Sequence, residues 1–253
     1  MPDPDAYEFH RPPNTAANQF QGQHIVSDQV SRDDLGVIWR ELEKILQANV
    51  PGDVVEFGCY VGTTSLFIRR LLDRYEAGLA GDASWDSTRP RGPQGAPEGA
   101  NEAAGPANLA PSARIFHVYD SFEGLPPKRP EDASPAGTEF QAGKLAVSKK
   151  IFMQQFRAAG LRPPVVHKNW FDQLDETDIP EHIAFAFLDG DFYDSIMTSL
   201  KLVWPRMSPH GTILIDDYKR EALPGAERAI RHFFQGKTIK RLHGEHNIAI
   251  IEL

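Results

Sequence analysis

With 253 residues, 41 % of them hydrophobic and 25 % charged, the chain can bury one large core or two modest ones. A formal charge of −8 argues against a nucleic-acid partner, since phosphate neutralisation needs a basic face and the nearest candidate, Lys149-Lys150, is too short. No stretch approaches the roughly 18 apolar residues that span a bilayer, the opening residues lack a signal peptide's basic and apolar regions, and the single cysteine, Cys59, excludes an internal disulfide or thiolate zinc cluster; a cytoplasmic protein without membrane contact is expected.

Residues 1–23, rich in Pro, Asn and Gln without an apolar period, read as an extended arm, a candidate for packing on a partner subunit. From Ser31, a capping residue, the apolar positions Leu35, Ile38, Trp39, Leu42, Ile45 and Leu46 recur near 3.6 residues and predict a helix with one buried face. Val54 to Phe57 reads as a short buried strand running into Gly58 and Gly62, and Thr64 to Leu72 resumes a helical pattern. Between Ala77 and Pro111 the composition turns to Gly, Ala, Pro, Asn and Glu with few apolar anchors, which predicts a flexible insertion.

Arg114 to Tyr119 is a second strand, ending at Asp120; a helix around Ile151–Ala159 precedes a third strand at Val165-Val166. Ile183 to Leu188 is a fourth apolar run, followed by a helix through Ser195–Val203 and a fifth run at Thr212–Ile215. Pro224 to Phe234 reads as a helix, and Ile239–Leu242 with Ile248–Leu253 as two closing strands. Apolar strands alternating with helices predict a doubly wound, mostly parallel α/β sheet with an antiparallel C-terminal strand. Residues 24–253 are therefore expected to form one domain.

In such sheets ligands bind outside the carboxyl ends of the strands. The first of these ends reads Glu56-Phe57-Gly58-Cys59-Tyr60-Val61-Gly62-Thr63-Thr64-Ser65. Glycines let such a turn approach a ligand closely. A dinucleotide fingerprint would place glycine at position 56, where a carboxylate repels pyrophosphate; a ligand with a sulfonium and an amino group and no phosphate suits Glu56 better. S-adenosylmethionine is such a ligand, and this turn, with Glu56, Gly58, Tyr60, Gly62, Thr63 and Ser65, is its expected seat. Asp120 at the next strand end can accept hydrogen bonds from two ribose hydroxyls. Cys59 reads as a small apolar packing residue rather than a nucleophile.

The fourth strand ends Leu188-Asp189-Gly190-Asp191 and the fifth Ile215-Asp216-Asp217-Tyr218. Four carboxylates in one cleft repel one another unless a cation neutralises them, and all-oxygen ligation favours a hard ion such as Mg²⁺. Such an ion would favour deprotonation of a bound hydroxyl, with a nearby carboxylate taking the proton as a methyl transfers. Among nine histidines, His117 lies in a strand and His167 at a strand end, and both read as structural.

Pro51-Gly52-Asp53, Glu56-x-Gly58, Asp120-Ser121-Phe122-Glu123-Gly124-Leu125-Pro126, Leu188-Asp189-Gly190-Asp191, Ser208-Pro209-x-Gly211 and Ile215-Asp216-Asp217-Tyr218, with Pro224-Gly225, occur in one order. In this the chain resembles the macrocin-type (TylF-type) sugar O-methyltransferases, over about residues 25 to 235. The resemblance implies a class I S-adenosylmethionine-dependent fold, Mg²⁺, a glycosylated small-molecule acceptor and a homo-oligomer. By position it makes Asp189, Asp216 and Asp217 the metal ligands and Asp191 the general base. Glu56, Gly58, Asp120 and Ser121 fall where the cofactor is held, with Asn169 and Trp170 near the adenine. The insertion and the tail beyond Gly244 depart from the family pattern and leave the acceptor open. A metal-dependent nucleotide-sugar glycosyltransferase using Asp189 and Asp191 is the alternative, but it leaves Glu56, Asp216 and Asp217 without a role.

Overall fold

The computed structural model describes residues 25–27, 29–79 and 114–253. The arm at 1–23 and residues 80–111 of the expected insertion lie outside the described residues. Helix α1 (Arg32–Gln47) starts where Ser31 accepts the Asp34 amide, as its capping position predicts. Strand β1 (Asp53–Phe57) leads to α2 (Thr63–Leu79), which runs past Leu72 and takes in the first three positions of the expected insertion.

Strand β2 (Phe116–Asp120), α3 (Lys149–Ala158), β3 (Val165–Lys168), β4 (Ile183–Leu188) and α4 (Tyr193–Val203) follow. Then come β5 (Met207–Ile215), α5 (Pro224–Phe234), β6 (Arg241–Glu245) and β7 (Ile248–Glu252). Strand β5 begins five residues before Thr212 because Met207 already pairs with Ile183 across a register shift, so Ser208-Pro209-His210-Gly211 continues the strand irregularly. Strand β6 runs on through Gly244 and Glu245 because the reversal needs only His246 and Asn247, the former at φ 50°.

The seven strands lie in the order β3-β2-β1-β4-β5-β7-β6, parallel through β5 and antiparallel at β7 and β6. Alternation along the strands splits the core by face. Val54, Phe185 and Phe187 pack with α1, α2 and α3, whereas Val55, Phe57, Ala186 and Leu188 pack with α4 and α5. With helices on both faces, the chain turns one way from β1 to β2 and the other from β4 to β5, and the crevice opens between β1 and β4, beyond their C-terminal ends. Among the described residues no helix is long and apolar enough to cross a membrane.

Candidate active site

The rim is stitched by backbone bonds that carry the sheet one residue past its strands. Gly58 N donates to Tyr119 O at 2.8 Å, Asp189 N to Phe57 O at 2.7 Å, and Asp216 N to Leu188 O at 3.0 Å. Each of the four central turns then places a residue other than glycine in the left-handed region: Tyr60 (φ 46°), Phe122 (57°), Asp191 (58°) and Asp217 (57°). That conformation costs roughly 1–2 kcal/mol per residue, and its recurrence at one edge is the kind of strain that clusters at functional sites.

Gly58, the residue after β1, lies against the residue after β4. At φ 85°, a Cβ there would overlap the Asp189 carbonyl oxygen, so only glycine lets the two strand ends meet. Asp120 joins the neighbouring turns: its carboxylate accepts from Cys59 N at 2.9 Å and from Phe122 N at 2.6 Å. The Cys59 thiol also reaches Asp120 at 3.4 Å, and burial, with the charges of Asp120 and Glu56, pushes its pKa far up, so it stays an uncharged packing group.

Glu56 lies beneath this turn, fully buried, with Oε2 accepting from the Ser65 hydroxyl and Oε1 without a partner. Burial pushes its pKa up to about 8, partly offset by the Ser65 bond and reinforced by Asp120. At neutral pH it is therefore largely an uncharged acid, whereas the sequence argument pictures an anion.

The ends of β4 and β5 are different. Asp189 is pushed well above the usual carboxylate range by burial and by the charges of Asp216, Asp191 and Asp217. Burial and Asp217 raise Asp191; burial and Asp217 raise Asp216, which also accepts from the Asp217 amide. Asp217 is raised mainly by burial, against the opposing pull of Arg220, whose Nη1 lies 2.7 Å from its Oδ1. Asp34, in the first turn of α1, brings a fifth carboxylate whose charge reaches Asp216 and Asp217.

Asp120, Asp189, Asp191, Asp216, Asp217 and Arg220 face a cavity of about 810 Å³. Of the expected site residues, Gly58, Tyr60, Asp120, Ser121, Trp170, Asp189, Asp191, Asp216 and Asp217 line it. Glu56, Gly62, Thr63, Ser65 and Asn169 do not: Gly62 packs on the Phe152 ring, Thr63 is buried and meets Ser27, and Asn169 donates to Gln173 O within its own loop. Sequence reasoning missed Arg220, Asp132, Asp194 and Gln29, all at the wall. Asp132 is signalled only by Gly225, whose missing side chain makes room for its carboxylate. His117 and His167 stay away from the cavity: their rings meet at 3.1 Å, 3.6 Å from Asp53 and 3.9 Å from Asp178 respectively.

Among the described residues no three His, Cys, Asp or Glu side chains are grouped to grip an ion as they stand. The donor chemistry nevertheless fits a hard divalent cation: oxygen only, anionic, mutually repelling, and with a guanidinium already drawn to one member.

Residues 106–244 match the family model of the macrocin O-methyltransferases, TylF. A relative from Streptomyces olivaceus, 8-demethyl-8-(2,3-dimethoxy-alpha-L-rhamnosyl)-tetracenomycin-C 4'-O-methyltransferase, is 29 % identical over 187 residues, which are 72 % of this chain and 58 % of that protein. Mycinamicin III 3''-O-methyltransferase from Micromonospora griseorubida is 27 % identical over 200 residues, 76 % of this chain and 64 % of its own. The chain thus spans about three fifths of the length of these relatives. Among solved structures, the O-methyltransferase NovP superposes with a TM-score of 0.63 at 23 % identity, covering 87 % of this chain and 79 % of its own. The calicheamicin methyltransferase CalS11 superposes with a TM-score of 0.60 at 15 % identity, covering 93 % and 89 %. Both share the class I S-adenosylmethionine-dependent methyltransferase fold.

Proposed function

This chain belongs to the TylF family of macrocin O-methyltransferases, and from that premise we propose that it methylates a hydroxyl of a glycosylated small molecule, using S-adenosylmethionine and Mg²⁺. The observation that carries the reading is the single cavity into which the glycine turn, Asp120 and the four aspartates of β4 and β5 all open. A methyl donor against the β1–β2 half would meet an acceptor hydroxyl at the β4–β5 half.

When bound, S-adenosylmethionine supplies an electrophilic methyl group, and the divalent ion a Lewis acid that acidifies the hydroxyl. Asp189, Asp216 and Asp217 would hold the ion. Gly58, Tyr60, Asp120, Ser121 and Trp170, which line the cavity, would hold the cofactor, with Glu56, Gly62, Thr63, Ser65 and Asn169 shaping the turns behind them. Asp191 would accept the hydroxyl proton of the acceptor, leaving its oxygen free to attack the electrophilic methyl that the cofactor would supply. Burial and the charge of Asp217 hold this group well above the ordinary carboxylate range, so it binds a proton more tightly than an exposed carboxylate does.

The acceptor side of the wall mixes hydrogen-bonding groups (Asp132, Gln173, Asp194 and Thr198) with Leu125 and Phe192, a lining that suits the polar edge and apolar face of a pyranose. The Streptomyces olivaceus relative is named for a rhamnosyl-bearing compound, which agrees with a sugar hydroxyl as the methylated position. Exhaustive chelation is expected to abolish methyl transfer to glycosylated metabolites, and Mg²⁺ to restore it. Full turnover in chelator would overturn the reading.

A further inference from the structure

Arg220 stands where two cavities meet. It lines the main cavity and a second one of about 590 Å³, bounded also by Gln29, Glu139, Phe140, Gln141, Lys144 and Leu145. Its guanidinium donates to Asp217 Oδ1 at 2.7 Å and lies 5.3 Å from the Phe140 ring centroid. Two other cations of the main wall are turned to different partners, Lys128 to Gly137 O and Arg129 to Asp194. Among the described residues that line the main cavity, Arg220 is thus the cation paired with an aspartate at the end of β5.

A guanidinium on Asp217 is chemically a substitute for a metal at that carboxylate. The two compete for one negative charge: the guanidinium takes up a lone pair of Oδ1, and its positive charge repels a divalent ion brought to either oxygen of Asp217. Nor is the guanidinium locked in: Arg220 is 39 % exposed and borders the outer cavity, where Glu139 is also a wall residue. We propose that Arg220 is a positioning residue that neutralises Asp217 in the ion-free protein and is displaced toward the outer cavity when a divalent ion takes that carboxylate. The ion therefore binds in competition with an internal cation. Removing that cation strengthens ion binding, whereas removing a residue that merely orients Asp217 weakens it. The inference rests on the proposed ion site and adds to it a chain residue that is no ligand.

The test is calorimetric titration of Mg²⁺ into chelator-stripped wild-type protein and the Arg220→Gln, Arg220→Lys and Asp189→Ala variants, with no methyl donor present. Arg220 pairs with Asp217 at 2.7 Å and is 39 % exposed, so its charge is screened but not lost there, and Arg220→Gln is expected to tighten Mg²⁺ binding by about ten-fold. Arg220→Lys, with a shorter and unforked cation, is expected to gain a smaller factor, and it serves as the test if the glutamine variant does not fold. Unchanged or weaker binding in the variant tested overturns the displacement while leaving the ion site standing. A wild-type protein that takes up no ion, or that binds it equally well after Asp189→Ala, overturns both.

Discussion

The two halves of the rim are built alike but differ in how they settle their charge. Both end parallel strands of one sheet, both turn through a left-handed residue, and both carry buried carboxyl groups. In the β1–β2 half those groups are settled internally: Asp120 by two backbone amides, Glu56 by remaining largely protonated. In the β4–β5 half the charge of Asp217 raises Asp189, Asp191 and Asp216, and that of Asp191 raises Asp189 and Asp216, with Arg220 as a partial counter-charge to Asp217. A carboxylate held by N–H groups is part of the scaffold, whereas carboxylates held against one another are incomplete until protons or a cation neutralise them.

Substituting within the incomplete half tests this contrast most severely. Asp189→Ala and Asp216→Ala are each expected to lower kcat/KM by about a thousand-fold, the scale of losing a major electrostatic element, and to leave the ion-free fold intact, because each removes a repelling charge. Asp191→Asn is expected to lose turnover by about 10² to 10⁴-fold, the range for a general base, with ion affinity retained. Steady-state kinetics beside Mg²⁺ calorimetry separates these patterns, and near-normal turnover in all three variants would dissolve the difference between the halves.

The settled half makes a smaller prediction, in pH. The Glu56 carboxyl titrates near its ordinary value of 4.5 when unfolded and at about 8 when folded. Between those values the folded protein holds the extra proton, so stability is greatest below the unfolded pKa and declines as pH rises through about 8. Urea midpoints of ion- and cofactor-free protein are expected to fall across that window. The fall should be shallower in Glu56→Gln, whose carbonyl can keep the Ser65 bond. The buried aspartates act in the same direction, so an identical slope in the variant would remove Glu56 from the account.

Much of this was legible in the sequence, for identifiable reasons. Val54-Val55 and Ile183–Leu188 are buried on both faces and read as continuous apolar runs, and the period of α1 and its Ser31 cap come directly from residue spacing. The acid pairs were visible because they follow apolar strands immediately. The burial of Glu56 was hidden, since neighbours in the chain do not reveal that Ser65, one turn into α2, would close over it. Arg220 and Asp34 were hidden too: each reaches the rim through the fold, one from the loop after β5, the other from the opposite end of the chain. The left-handed turns have no compositional signal where Asp and Tyr stand in place of glycine.

The contact between Gly58 and the Asp189 carbonyl has a thermodynamic corollary. A donor bound at the first turn would bear on the backbone that carries the first acid of the second half, and occupancy at either place would then bias the other. By reciprocity, whatever factor Mg²⁺ contributes to S-adenosylhomocysteine affinity, S-adenosylhomocysteine must return to Mg²⁺. Titrating each with and without the other would measure that factor, and a value of one would mean that the shared backbone transmits nothing.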